Sequence, residues 1–325
     1  MAEGSEVSDE VDEVAVYPVL DVDIEADKPT QQRASSGSSV LDDSAIEEHG
    51  RTYHSYKQGT YLLPNDAEEQ SRLDIQHKTI TTLLGGKLAL APIEPKNVLD
   101  VATGTGIWAI EFARQYPKSN VIGSDLSLIQ PKDVVHNCSF VKEDAENDEW
   151  TYNQTFDYIH FRLLFTCFND LSAVLRKTYN HLESGGWVEF QDHTPEVLSS
   201  DGTSVGSGME KFGHAIVRGL ARFGRDATRI KSIRQLLVAQ GFVDVTERVF
   251  PYPVGVWPRD PHYKEVGRWN GHNVGLGLEG AVKMLFAAGL TESEAQDLIS
   301  QVRGELKSHH VHAFMPFYVV YGRKP

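Results

Sequence analysis

Cysteine is almost absent. The 325 residues contain only Cys138 and Cys167, in no CxxC arrangement, which excludes a disulfide framework and a thiolate zinc site. No run reaches the apolar length of a membrane span, and the start, MAEGSEVSDEVDEV, lacks the basic residues and apolar stretch of a secretory signal. The expected location is cytoplasmic or nuclear. Positive charge is scarce as well, with 31 Lys and Arg against 46 Asp and Glu and a formal net charge of -15. The first 48 residues carry -12 of that charge, leaving -3 for the body of the chain. A near-neutral body has no basic field of the kind that supplies most nucleic-acid affinity, so DNA and RNA are poor candidate partners.

Residues 1–48, acidic and including the tract QQRASSGSS, are expected to form a disordered tail, either solvated or docking a partner protein. Residues 49–325 are expected to form one domain. Asn65 caps a predicted helix with Leu73, Ile80, Leu83 and Leu84 on one face, stopped by Gly85 and Gly86. NVLDVATGTG, IWAIEFARQYP and NVIGSDLS then read as strand, helix and strand. CSFVKEDAEN, FDYIHFRLLF, LSAVLRKTYNHL and WVEFQD continue the alternation, with Gly185 and Gly186 stopping the helix before the last strand. Repeated alternation of this kind predicts an α/β fold, a doubly wound, mostly parallel sheet with helices on both faces. IRQLLVAQGF reads as a helix, VDVTERVFPYPV as a strand, 264–309 as a largely helical cap, and FYVVYGRKP as a closing strand.

The chemistry concentrates in residues 98–145. Gly104, Gly106 and Ala109 fit G-x-G-x-x-G/A, and Asp125 lies at a suitable later distance, so the glycines alone also fit a dinucleotide site. Asp100 separates the two readings. A carboxylate at the mouth of the turn repels a pyrophosphate but binds an α-ammonium group, which S-adenosylmethionine has. The turn from Ala102 through Thr103 and Gly104 to Gly106 needs small residues for close backbone approach. Asp125, with Leu126 after it, offers two oxygens to paired ribose hydroxyls. Asp144 accepts from the adenine amino group while Ala145 contributes a backbone N–H. The bland account of all three acids is turn capping.

The order and spacing of VLDVATGTG, GSDLS, EDAEN, FDYIHFR and LESGGWVEF resemble the class I S-adenosylmethionine-dependent methyltransferases. HGRTYHSYKQGTYLLPNDAEEQSRLDIQHKTITTLLGGKLALAPI looks like the N-terminal signature of the fungal LaeA-like methyltransferases. The resemblance implies a Rossmann-like seven-stranded sheet whose last strand is antiparallel, S-adenosyl-L-methionine as cofactor, and a segment before the sheet that closes over it. Tyr53, Tyr61 and Arg72 are then candidates for the sulfonium and the methionine carboxylate, against packing on the core and surface pairing. The implied function is methyl transfer to a small-molecule acceptor in fungal secondary metabolism. The alternative is a LaeA-like regulator acting through protein partners.

Methyl transfer mainly needs alignment and exclusion of water. His160, at the end of the fourth strand, is the candidate general base if there is one, the alternative being that it shapes the pocket. Gln191, Asp192 and His193 sit where they can reach an acceptor. Trp257 and Trp269 belong to segments that can roof it. His309, His310 and His312 end a polar helix with no carboxylate set beside them, so no metal is expected.

Overall fold

A computed structural model describes residues 20–21, 46–48, 51–53, 63–164 and 166–325. A short hairpin, β1 (Ile46–Glu48) and β2 (Arg51–Tyr53), spans the boundary expected after residue 48. It is clamped to the first long helix, α1 (Ala67–Leu83), by Arg51, whose Nε and Nη2 donate to both oxygens of Asp66 at 2.6 and 2.8 Å. Asp66 is therefore the residue that caps α1, accepting from Glu69 N, and the expected cap Asn65 instead donates its backbone N–H to Thr52 O. Charge pairing with the hairpin moves the helix start by one residue.

Five parallel strands follow. They are β3 (Asn97–Val101), β4 (Asn120–Asp125), β5 (Cys138–Lys142), β6 (Phe156–Arg162) and β7 (Leu182–His193). With β8 (Val243–Pro253) and β9 (Phe314–Arg323) they form one sheet in the order β5-β4-β3-β6-β7-β9-β8, in which β9 runs antiparallel to both neighbours. The seven strands and the reversed last strand agree with expectation. The glycine pair does not stop α3 (Leu171–His181): β7 begins at Leu182 and runs through Gly185 and Gly186, because Gly185 N donates to Lys324 O just beyond β9.

Each face of the sheet carries a core. Trp108, Phe112 and Ala113 of α2 (Ile107–Gln115) pack on one side together with Ile80, Leu83 and Leu84 from the α1 end. On the other side, α3 and α5 (Ile233–Gln240) bury Val174, Leu175, Ile233 and Leu237 against Phe161, Phe190 and Val320. A helical cap extends the first side: α4 (Gly208–Arg222), α6 (Pro261–Gly277), α7 (Val282–Ala287) and α8 (Glu292–Ser308). No helix among the described residues is long and apolar enough to cross a membrane.

The strand order reverses between β3 and β6. Chain leaving β3 builds outward through β4 and β5, whereas β6 and everything after it builds the other way. The connections leaving the carboxyl ends of β3 and β6 therefore part and open a crevice, the position where sheets of this type bind ligands. The segment before β3 is held in place by a buried acid: Glu189 of β7 is fully buried and accepts from Leu90 N and Ala91 N at 2.9 and 2.7 Å. Burial raises its carboxyl above the ordinary range. Glu189→Ala leaves the part-buried Leu90 amide and the buried Ala91 amide without acceptors, at about 1–3 kcal/mol each. Urea unfolding of this variant should show a loss of about 2–5 kcal/mol; a loss under about 1 kcal/mol would mean that water replaces the carboxylate.

Candidate active site

The crevice is a cleft lined by the ends of β3, β4, β5 and β6 and roofed by α1. Among the expected ligand-binding residues, Asp100, Ala102, Thr103, Gly104, Asp125, Leu126, Asp144 and Ala145 line it. Asp100, 3% exposed, accepts from Thr103 Oγ1 at 2.5 Å and from His160 Nδ1 at 2.7 Å. Asp125 accepts Gly104 N at 2.8 Å on one oxygen and Ser127 N at 3.1 Å on the other. Asp144 accepts from Glu146 N and Asn147 N, so it also caps its own turn. Each carboxylate has about four lone-pair sites, so these bonds fix its direction and leave capacity toward the cleft.

The loop between β3 and α2 is wound tightly. Ala102, where a glycine stands in many such loops, is held at φ 56°, and Gly106 at φ 78°. Gly106 does not face the cleft. A Cβ there would lie 2.5 Å from Phe140 Cζ, so the residue is needed for packing beneath the loop rather than for ligand contact. Thr103 N donates to Ser124 O, Gly104 N to Asp125 and Gly106 N to Thr103 O. These amides are satisfied internally and do not form the open cradle that a pyrophosphate requires.

Three further expectations differ from the geometry. Tyr53 is buried beneath Lys283, whose Nζ lies 3.2 Å from the ring centroid, and does not line the cleft. Arg72 forks onto Glu69 at 2.7 and 2.8 Å and donates to Asn273 Oδ1 of α6 at 2.7 Å, so it joins roof to cap. Tyr61 lies outside the described residues. His160 is fully buried and stacks on Trp108 with centroids 3.7 Å apart and planes at 6°, behind Asp100 rather than facing the cleft. Of the residues considered for the acceptor, Gln191, Asp192 and His193 are buried within β7 against β9, and Trp257 donates to Ala313 O inside a small cluster with Phe314 and Leu20. Leu20, from the segment expected to be disordered, is buried there, and Arg259 N donates to Asp21 O at 2.7 Å. No group of residues suited to hold a metal occurs among the described residues.

Sequence patterning carries no signal for two cleft residues. His77 of α1 accepts on Nδ1 from Arg162 Nη1 at 3.0 Å and places Nε2 2.9 Å from Glu111 Oε2. An arginine only donates, so His77 is neutral with its proton on Nε2; burial lowers its pKa. Arg162 ends β6, and its Nε and Nη2 both donate to Gln191 Oε1 at 2.9 and 2.7 Å. Leu163 after it sits at φ 57°, so both β3 and β6 end at the cleft in left-handed backbone at a residue other than glycine.

Burial pushes the imidazoles of His160 and His193 down to about 4 from an ordinary 6.5. The unfolded chain then binds protons that the folded one refuses. The resulting stability is complete above about pH 6.5 and is lost as pH falls toward 4, on the order of 3 kcal/mol for each histidine. Denaturation midpoints measured from pH 7.5 to 4.5 should fall steadily below 6.5, and a flat profile would contradict the neutral buried state.

The methyltransferase domain family matches residues 75–247, more than half of the chain. The methyltransferase pytC of Aspergillus terreus is 35% identical over 321 residues, covering 96% of this chain and 98% of that protein. The secondary metabolism regulator LAE1 of Cochliobolus heterostrophus is 35% identical over 294 residues, 86% of this chain and 94% of that protein. The probable methyltransferase tdiE of Emericella nidulans is 29% identical over 279 residues, 83% of this chain and 87% of that protein. With its seven-stranded sheet and its acid-lined cleft at the strand-order reversal, the chain belongs to the S-adenosylmethionine-dependent methyltransferases.

Proposed function

We propose that this chain transfers a methyl group from S-adenosylmethionine to a small-molecule acceptor in fungal secondary metabolism. The observation that carries the reading is the charge of the cleft. It is lined by five carboxylates, from Glu69, Asp100, Asp125, Glu143 and Asp144, of which Glu69 is already paired with Arg72, and one guanidinium, from Arg162. S-adenosylmethionine carries a sulfonium, an ammonium and one carboxylate, so its charges complement this set, while the two phosphates of a nicotinamide dinucleotide do not. The loop amides, spent on internal bonds, support the same choice.

Bound S-adenosylmethionine supplies an electrophilic methyl group on a positively charged sulfur. Asp100 holds the ammonium, Asp125 the ribose hydroxyls, and Asp144 with Ala145 the adenine edge. His160 donates Nδ1–H to Asp100 and keeps that carboxylate aimed, acting as a positioning residue and not as the base. Beyond Arg162 the wall turns apolar through Leu163, Leu164, Cys167 and Phe168, which suits an apolar acceptor and keeps water from the reacting pair. The equal percent identity, 35%, to a protein named as a regulator supports a second reading, in which a partner protein binds and turnover is secondary.

Calorimetric titration of the wild type with S-adenosylmethionine, S-adenosylhomocysteine and NAD should show binding of both adenosyl ligands and none of NAD. Asp125→Ala should weaken them at least about 10-fold, the loss of charge-assisted bonds to two hydroxyls. Tight NAD binding with no adenosyl response would overturn the reading. His160→Ala should raise the cofactor dissociation constant together with a loss of turnover; a fall in kcat at unchanged affinity would restore the histidine as a base. Comparing metabolites of a deletion strain with one carrying Asp125→Ala separates the two functions: matching losses favour the enzyme, whereas function retained by the variant favours the regulator.

A further inference from the structure

Arg162 has a chemistry that the cofactor roles assigned above leave unused. Burial lowers its pKa to about 10, so it remains a cation at neutral pH. Its partners are neutral: the amide oxygen of Gln191, which takes two N–H groups, and His77 Nδ1, which takes a third. No carboxylate among the described residues is ion-paired with it, although five line the same cleft. A guanidinium has five N–H groups, so one remains on each terminal nitrogen. Charge and two donors are thus held at the cleft wall by groups that orient the fork without neutralising it.

The neighbours that orient it are themselves fixed. Gln191 Nε2 donates to Leu88 O at 3.0 Å and to Glu189 Oε1 at 2.6 Å, which forces its oxygen toward Arg162. The neutral tautomer of His77 is held by Glu111 on the other side of the ring. Strand register supplies the last constraint. Asp100 of β3 lies opposite His160 of β6, and Arg162 is two residues further along β6, so its side chain leaves the same face. An anion and a cation with no carboxylate in direct contact therefore stand at the ends of adjacent strands. This arrangement is complementary to the ammonium and carboxylate of a single amino acid.

We infer that Arg162, oriented by Gln191 and His77, binds the carboxylate of the methionine part of the cofactor, opposite the ammonium held by Asp100. The inference rests on the cofactor reading above, and it takes over the role expected of Arg72, whose fork is committed to Glu69. A carboxylate on the acceptor has the same chemistry, so the test omits the acceptor.

The probes are S-adenosylmethionine and its decarboxylated form, titrated separately into wild type, Arg162→Met and Arg162→Lys. Wild type should bind the intact ligand about 10- to 100-fold more tightly, the value of a charge-assisted paired contact. Arg162→Met should bring that ratio to about one by weakening only the intact ligand, and Arg162→Lys should fall between, keeping charge without the fork. Because the ratio compares two ligands on the same preparation, partial loss of folded protein does not disturb it. An unchanged ratio in Arg162→Met, or a wild-type ratio near one should that variant fail to fold, overturns the arginine's role alone. Failure of wild type to bind either ligand overturns the cofactor reading and this inference with it.

Discussion

A buried carboxylate at the reversal of strand order organises this molecule. Asp100 ends up almost wholly out of water, where the chain leaving β3 and the chain leaving its neighbour β6 build in opposite directions. Taking a charge from water is costly unless hydrogen bonds compensate. Here Thr103 compensates from the loop and His160 from the adjacent strand, so the acid ties loop conformation to strand register. His160 in turn requires Trp108 as a stacking partner, and that side chain anchors α2 by donating to Leu88 O. One carboxylate therefore links the turn, the sheet and the first helix after it.

A second polar chain runs from the Leu90 and Ala91 amides through Glu189, Gln191 and Arg162 to His77 and Glu111. It begins at the segment before β3 and ends on the helix that roofs the cleft. Each member has the partner that its protonation state demands, which is how so many polar groups remain inside at tolerable cost. The chain also determines that the roof reports its position to the cleft wall through a neutral histidine.

Much of this was readable from residue order. Strands with their carboxyl-end acids, the glycine turn and the helix stop at Gly241 follow from local patterning, because each is fixed by side chains within a few positions. The cleft acids were legible for the same reason: Asp100 and Asp125 lie at the carboxyl ends of β3 and β4, and Asp144 comes two residues after β5. Arg72 was named and Arg162 was not, although Glu69, three residues before Arg72 on the same helix, takes up the Arg72 guanidinium. His160 was placed on the correct strand, but which way a side chain faces once its strand pairs on both edges depends on neighbours distant in sequence, here Asp100 and Trp108. Tyr53 was lost to a lysine 230 residues later, which no local pattern announces.

The Arg72 fork has a further implication for how such a scaffold changes. It is a rivet between the helix that roofs the cleft and the cap: two bonds on Glu69, one on Asn273. Six residues before Asn273 on the same helix, α6 crosses the chain so closely that a methyl group at Gly267 would sit 2.0 Å from Gly255 O. Roof and cap are thus joined by buried polar contacts, so a substitution in the cap at this seam changes what holds the roof of the cleft. An exposed position away from the seam, such as Val205, is free to vary without that penalty. The architecture thereby sorts its own positions into those that can drift one at a time and those that must change in concert.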